Sequence, residues 1–362
     1  MADQPAPSKQ GEPSKPGEPS KPGEPASKRL GARLLDALLS GQEDALALGV
    51  VRAALAGLLL ISALLHAGAV GEYFSDESMI NDRFAKLAFP ARWSLFFTIT
   101  DPTAVRALWG IGVIALGMWT VGLFTRVSSI VGMLLWISMY GRNPLLYAYP
   151  DQLALVFGVL LVMMPAGRGF SLDARWFGWG GTVPVWCRRI LQLQLAIMYT
   201  ATGLEKTGDT WHVDGTAIYY TLNNPYNRHF DAGPFFAAIQ PWLLRPMTYA
   251  VLVWEVSFGG FAAYNWLRDA AGRRLPAWGQ RRREGRPGLA IPDLRWLFLG
   301  FGATMHIGIQ LGVYVVFFSP LVVGSYLAFF SSDDLRALVA WPRRALAWVR
   351  GLRLRGARPA AG

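Results

Sequence analysis

With a single cysteine, Cys187, this chain has no internal disulfide and no thiolate cluster. Its four histidines, His66, His212, His229 and His306, are scattered without an H-x-x-x-H spacing, so no metal-binding pattern is present. Charge is scarce as well: 16% of the residues are charged, against roughly 25% in a soluble domain. The first stretch, to about Ser27, has no apolar residue beyond Met1 and three alanines and repeats as GEPSKPGEPSKPGEP. It cannot offset its ordering entropy by burial, so disorder is expected. Without an apolar h-region it does not read as a signal peptide.

What the chain has in quantity is hydrophobic residues, 52% of the total, in runs separated by short charged stretches. A crossing of the roughly 30 Å hydrocarbon core takes about 20 residues. Eight spans are expected. They cover about Ala47 to Val70, Ala104 to Leu123, Val127 to Tyr140, Gln152 to Met164, Ile190 to Gly203 and Pro241 to Leu267. Trp296 to Phe330 is too long for one crossing and supplies the last two. The fold class is therefore an all-α polytopic membrane helix bundle. Residues 45–332 form the transmembrane domain, 1–44 a disordered Pro/Gly/Ser/Lys-rich segment and 333–362 an arginine-rich tail.

Eight crossings put both termini on one side, and Lys and Arg choose that side. The terminal segments and the loops facing them hold 26 of the 35 basic residues, and the opposite loops hold six. Both termini are thus expected in the cytoplasm. The net charge of +11 is then a topology signal plus attraction to anionic lipid. The lipid bilayer is the expected partner, and nucleic acid is not.

The densest polar and aromatic cluster beside any span is YTATGLEKTGDTWHVDGTAIYY, Tyr199 to Tyr220. Lys206 stands where the fifth span meets water. An ionisable group there is expensive unless compensated, which makes it a candidate functional residue. Snorkelling to the interface is the plain alternative. Trp211 beside it reads equally as part of an interfacial aromatic belt, and Asp209 and Asp214 as ordinary turn residues. Glu255 lies inside the sixth span and is expected to face the bundle interior with a partner or a proton. His306 reads first as a satisfied structural histidine, and Asn143 as a helix cap or interhelical hydrogen bonder. Arg52, near the cytoplasmic end of the first span, is expected to snorkel or to touch lipid phosphate.

The order of motifs resembles the HTTM (horizontally transferred transmembrane) domain family, bacterial relatives of the membrane part of vitamin K-dependent gamma-carboxylase. The pieces are GVVRAALAGLLL with Arg52, EYFSDESMI, RNPLLYAYPDQL, GRGFSLDARW, KTGDTWHVDGTAIYY, TYAVLVWE ending in Glu255, and MHIGIQLG. Together they span about Ala47 to Phe330. The resemblance implies that Lys206 takes the place of a lysine base acting on reduced vitamin K. Oxygenation of that hydroquinone then yields the stronger base that deprotonates a glutamate γ carbon. Desolvation at a membrane boundary favours the neutral amine such a base requires. It further implies a reduced quinone as cofactor, a lipid-soluble or peptide substrate, and a multi-pass place in a bacterial inner (plasma) membrane. Asn143, Asp151, Asp209, Trp211, Asp214, Glu255 and His306 are the supporting residues.

Two departures bear on the substrate. The carboxylase's large lumenal portion has no counterpart here, and Asp151 stands where the carboxylase carries a histidine before the fourth span. Sporulation-delaying protein B, a family relative in toxin-peptide maturation, supplies the second expectation, a non-enzymatic accessory role in maturing or exporting a peptide. A transporter is less favoured, since no internal repeat or matched pair of broken helices is visible. Reporter fusions test the topology: one after Arg274 should report the cytoplasm and one after Arg228 the exterior. The same side for both would exclude eight spans.

Overall fold

The computed structural model describes residues 39–146, 149–274 and 292–340. The N-terminal repeat and the end of the basic tail lie outside the described residues. Helices dominate, in keeping with an all-α fold. A two-stranded antiparallel ribbon joins β1 (Gln42–Asp44) to β2 (Thr182–Pro184), with Glu43 opposite Val183. Gln42–Asp44, assigned by composition to the disordered segment, are thus paired backbone, and the ordered chain starts before residue 45.

The main helices are α1 (Leu46–Leu65), α4 (Pro102–Val121), α5 (Thr125–Arg142), α6 (Tyr149–Met163), α8 (Val185–Glu205), α12 (Arg245–Arg274) and α13 (Arg295–Gly312). Short helices α2 (Val70–Phe74), α3 (Asp82–Ala88), α7 (Leu172–Trp176), α9 (Asp209–His212), α10 (Ala217–Asn223), α11 (Gly233–Ile239) and α14 (Phe318–Ser325) fill the connections. Among the described helices, α1 and α4 are long and apolar enough to cross a membrane by length and composition. The apolar stretch expected to hold two spans divides as α13, a turn, and the short α14 continued by a 3-10 turn to Phe329.

Helix ends follow local chemistry. Asp101 caps α4 by accepting from the Ala104 N–H at 2.8 Å, with Pro102 in the first turn. Gly122 ends α4 in the left-handed region at φ 72°. A side chain there would also strike the Arg52 guanidinium, so glycine is required twice over. Both carboxylate oxygens of Asp173 then accept the Phe124 and Thr125 N–H groups at 2.7 and 2.8 Å and start α5. The α1 start is capped from afar: Ser332 accepts from the Ala47 N–H at 3.1 Å.

Arg52 overturns its expectation. It is fully buried and donates to the carbonyls of Phe170 (2.6 Å), Ala166 (3.2 Å) and Thr120 (3.4 Å). Instead of reaching for lipid, it ties α1 to the α4 end and to the segment after α6. Carbonyls at a helix end and in a tight turn have no intrahelical partner, and burying one unpaired costs about 1–3 kcal/mol. Arg188 works alike: it holds the Glu43 carboxylate by two bonds at 2.8 and 2.9 Å and donates to the Ala328 and Phe330 carbonyls. At the other end of the bundle, Arg142 is fully buried and donates to Ser75 O, Ile80 O and Ser78 Oγ at 2.8–3.0 Å.

Around Arg295 the same economy produces a pH-sensitive clasp. The Arg295 guanidinium bridges Asp293 and Asp334 at 2.6 Å each, and Arg268 reaches Asp293 at 3.0 Å. The hydrogen bond from Arg295 holds the Asp293 carboxyl down at about 2, against an ordinary aspartate near 3.9. A depressed carboxyl adds stability above its unfolded value and loses it as pH falls through the folded one. Asp293→Asn should therefore lower thermal stability at pH 5–7, and its gap from wild type should narrow between about pH 4 and pH 2. Unfolding scans in detergent across that range check this; a gap independent of pH would contradict it.

Candidate functional site

Lys206 closes α8 as its C-cap residue. The C-terminal end of a helix carries partial negative charge from unpaired carbonyls, which favours a cation there. The ammonium donates to the Thr202 carbonyl at 3.3 Å and to the Glu255 carboxylate at 2.5 Å. Glu255 stands on α12, and the two side chains are 21% and 10% exposed. The Trp211 ring of α9 lies 5.1 Å from the Lys206 nitrogen, within cation–π range. Three separate elements thus converge on one amine, and that amine keeps a partly open flank.

The convergence depends on how closely α8 and α12 approach. A Cβ on Gly203 would sit 2.9 Å from the Val256 nitrogen and 3.0 Å from Glu255 Cβ, so only glycine lets the backbones meet. One turn earlier Thr200 Oγ1 accepts from the Gly259 N–H at 3.0 Å. The crossing of these helices fixes the distance between Lys206 and Glu255 directly.

Below the pair lies a buried polar chain. His306 Nε2 and the Tyr199 hydroxyl are 2.6 Å apart, and the Tyr199 and Tyr326 hydroxyls are 2.6 Å apart. His306 is 1% exposed and its Nδ1 has no partner among the described residues. Tyr199 stacks on Phe258 at 4.6 Å and meets Trp254 edge-on at 4.7 Å. It precedes Lys206 by seven residues, two helical turns on the same face, or roughly 10 Å along the axis. That spacing was available in the sequence as a pointer to Tyr199. Tyr326, from the 3-10 turn after α14, carried no such signal.

The other expected residues lie apart. Asp209 and Asp214 are exposed, and among the described residues neither carboxylate bonds to Lys206. Their backbones shape the loop instead, with the Asp209 carbonyl accepting from the Val213 and Asp214 N–H groups at 2.8 Å. Asn143 is buried beyond the end of α5, donates to the Tyr73 carbonyl at 3.3 Å, and belongs with the Arg142 network. Asp151 sits in the first turn of α6, where the helix end favours an anion. The loop after Lys206 is pinned down: Tyr249 and Arg245 both donate to the Val213 carbonyl, and His212 Nε2 lies 2.5 Å from the Lys206 carbonyl oxygen. Among the described residues no group of three or more His, Cys, Asp or Glu is placed to hold a metal ion.

Chemically, the arrangement is a half-buried amine hydrogen-bonded to a buried carboxylate, with an aromatic face beside them. A family model described as the HTTM domain matches residues 41–273, well over half of the chain. No curated protein and no solved structure matches it. The matched region contains both Lys206 and Glu255, and His306 lies beyond it.

Proposed function

We propose, for a chain that belongs to the HTTM domain family and is thereby a membrane protein, the role of a membrane-embedded enzyme of the vitamin K-dependent carboxylase-like class. Lys206 is its general base. The reading includes eight spans in a bacterial inner membrane, with both termini in the cytoplasm and Lys206 at the outer boundary. The distribution of Lys and Arg supports that topology.

The observation that carries the reading is the 2.5 Å contact between Lys206 and Glu255. A base must present a neutral amine, so the Lys206 ammonium has to place its proton elsewhere before it can act. Glu255 gives that proton a destination. Transfer from nitrogen to carboxylate turns an ion pair into a neutral amine beside a carboxylic acid, a form that desolvation favours over two charges. The amine then takes a proton from an acidic O–H of a bound substrate on its open flank. Trp211 covers one side of the amine and restricts water.

A reduced quinone fits this place by the character of its residues: an aromatic face and a basic amine with a partly open flank. Trp211 and Lys206 would hold it. When bound, such a group supplies an acidic hydroxyl and, after oxygenation, a stronger base. Lys206, Glu255 and Trp211 supply orientation, proton transfer and partial exclusion of water.

One further observation favours the accessory reading as second choice. Phe236, Ile239 and Leu244 form a small core of their own outside the bundle. Tyr226, Phe230 and Phe235 stand exposed beside it, Tyr226 at 93%. An exposed aromatic surface of this kind suits a peptide.

Substitution at Lys206 separates the two. Arginine keeps the charge but does not deprotonate at accessible pH. Lys206→Arg and Lys206→Ala should each lower turnover of a reduced quinone by at least about 10²-fold, the usual contribution of a positioned base, in protein that still inserts. Full function in Lys206→Arg would defeat the catalytic reading and favour the accessory one.

A further inference from the structure

At the end of the bundle opposite Lys206, the α4–α5 turn, the α6 end and the turn at Ala166–Arg168 enclose a groove of about 570 Å³. That volume is within the range of small-ligand sites. Its floor is apolar, with Val127, Leu161 and Met163, and two of these face outward, Val127 at 64% and Met163 at 67% exposed. Its rim carries Arg126 and Arg168. Each guanidinium donates to one backbone carbonyl, Val162 O at 2.5 Å and Thr182 O at 3.0 Å, and no carboxylate pairs with either among the described residues. Most of their N–H donors remain for a ligand.

Two further observations define that ligand. Thr125 lines the groove, is 7% exposed, and its hydroxyl has no hydrogen-bond partner among the described residues. A buried hydroxyl without a partner costs free energy that a bound acceptor would recover. The acidic residue in the lining, Asp173, is 3% exposed, both its oxygens accept the N–H groups that open α5, and the buried Arg52 offsets its charge from behind. Among the described residues, the site therefore offers donors and positive charge and presents no exposed carboxylate to a cation. Phe124 and Trp179 line the groove and stand exposed, and the exposed Phe177 bridges them, stacked on Phe124 at 5.5 Å and tilted against Trp179 at 4.9 Å. Exposed aromatic rings of this kind collect at the headgroup level of a bilayer.

We propose that this groove binds an anionic phospholipid of the adjacent leaflet. Arg126, Arg168 and the Thr125 hydroxyl take the phosphate, and an acyl chain follows Val127 and Met163 into the bilayer. Guanidinium groups suit a phosphate because their planar N–H forks match its oxygens. A zwitterionic lipid is disfavoured, because it carries no net negative charge and its ammonium is repelled by Arg126 and Arg168.

The test uses the full-length protein purified in detergent, with native mass spectrometry to count bound phosphatidylglycerol against phosphatidylcholine. Wild type should retain phosphatidylglycerol preferentially. Arg126→Gln and Arg168→Gln should each weaken that binding roughly fivefold, and both together about 25-fold, with phosphatidylcholine unaffected. Millimolar inorganic phosphate should not displace the lipid; displacement would assign the site to a free phosphate and overturn the proposal. Equal retention of the two lipids would overturn it too. On wild-type protein, a photoactivatable phosphatidylglycerol should label peptides covering 124–129 or 161–168, a readout that survives misfolding of either variant. Labelling elsewhere alone would refute the site.

Discussion

An ammonium and a carboxylate removed from water are tolerable only together, and the contact of Lys206 with Glu255 organises its end of the helix bundle. Removing one member of a buried pair strands the other, at about 3–5 kcal/mol when solvent is excluded; the 21% exposure of Lys206 lowers that figure here. The pair requires α8 and α12 to meet closely, and Gly203 permits that approach. The same crossing stacks Tyr199 against Phe258 and delivers its hydroxyl to His306 and Tyr326. One helix contact thus positions the candidate base, its proton partner and the polar chain beneath them.

Arginine does comparable work at the bundle's ends. Arg52, Arg142 and Arg188 are buried, and each donates to carbonyls that helix ends or turns leave without partners. Arginine suits this because it stays charged and offers five donors in a fixed fork. Arg142 and Arg188, which a topology count treats as signals for the translocation machinery, are also, like Arg52 inside its span, cross-links between segments distant in sequence. Arg126 and Arg168 contrast with them, since their donors are mostly unspent and face an apolar groove.

Much of this was legible in the sequence because it follows from hydropathy and cost. Apolar runs marked the helices, and Lys206 stood out as a charge at the end of one. Glu255, inside a span, required a compensating group on the same grounds. Its pairing with Lys206 was not legible, since 49 residues separate them and only the α8–α12 crossing joins them. Arg52 was misread because its distance from the helix end allows snorkelling; its carbonyl partners, Thr120, Ala166 and Phe170, come from tertiary structure alone. Gln42–Asp44 were misassigned because three polar residues ahead of the first apolar run carry no sign of the strand at Thr182–Pro184 that pairs with them. Tyr326 escaped notice as one aromatic residue in an apolar stretch.

The central claim is that Lys206 and Glu255 are a pair in which the amine has to be on α8, where Trp211 and the open flank are. Exchanging the charges, Lys206→Glu with Glu255→Lys, tests it most directly. Thermal unfolding of the two single variants and the double variant, with turnover of a reduced quinone measured on each, separates attraction from chemistry. The account predicts that the exchange recovers most of the stability lost in either single variant and none of the turnover. Recovery of turnover along with stability would contradict it and reduce the pair to a structural ion bridge.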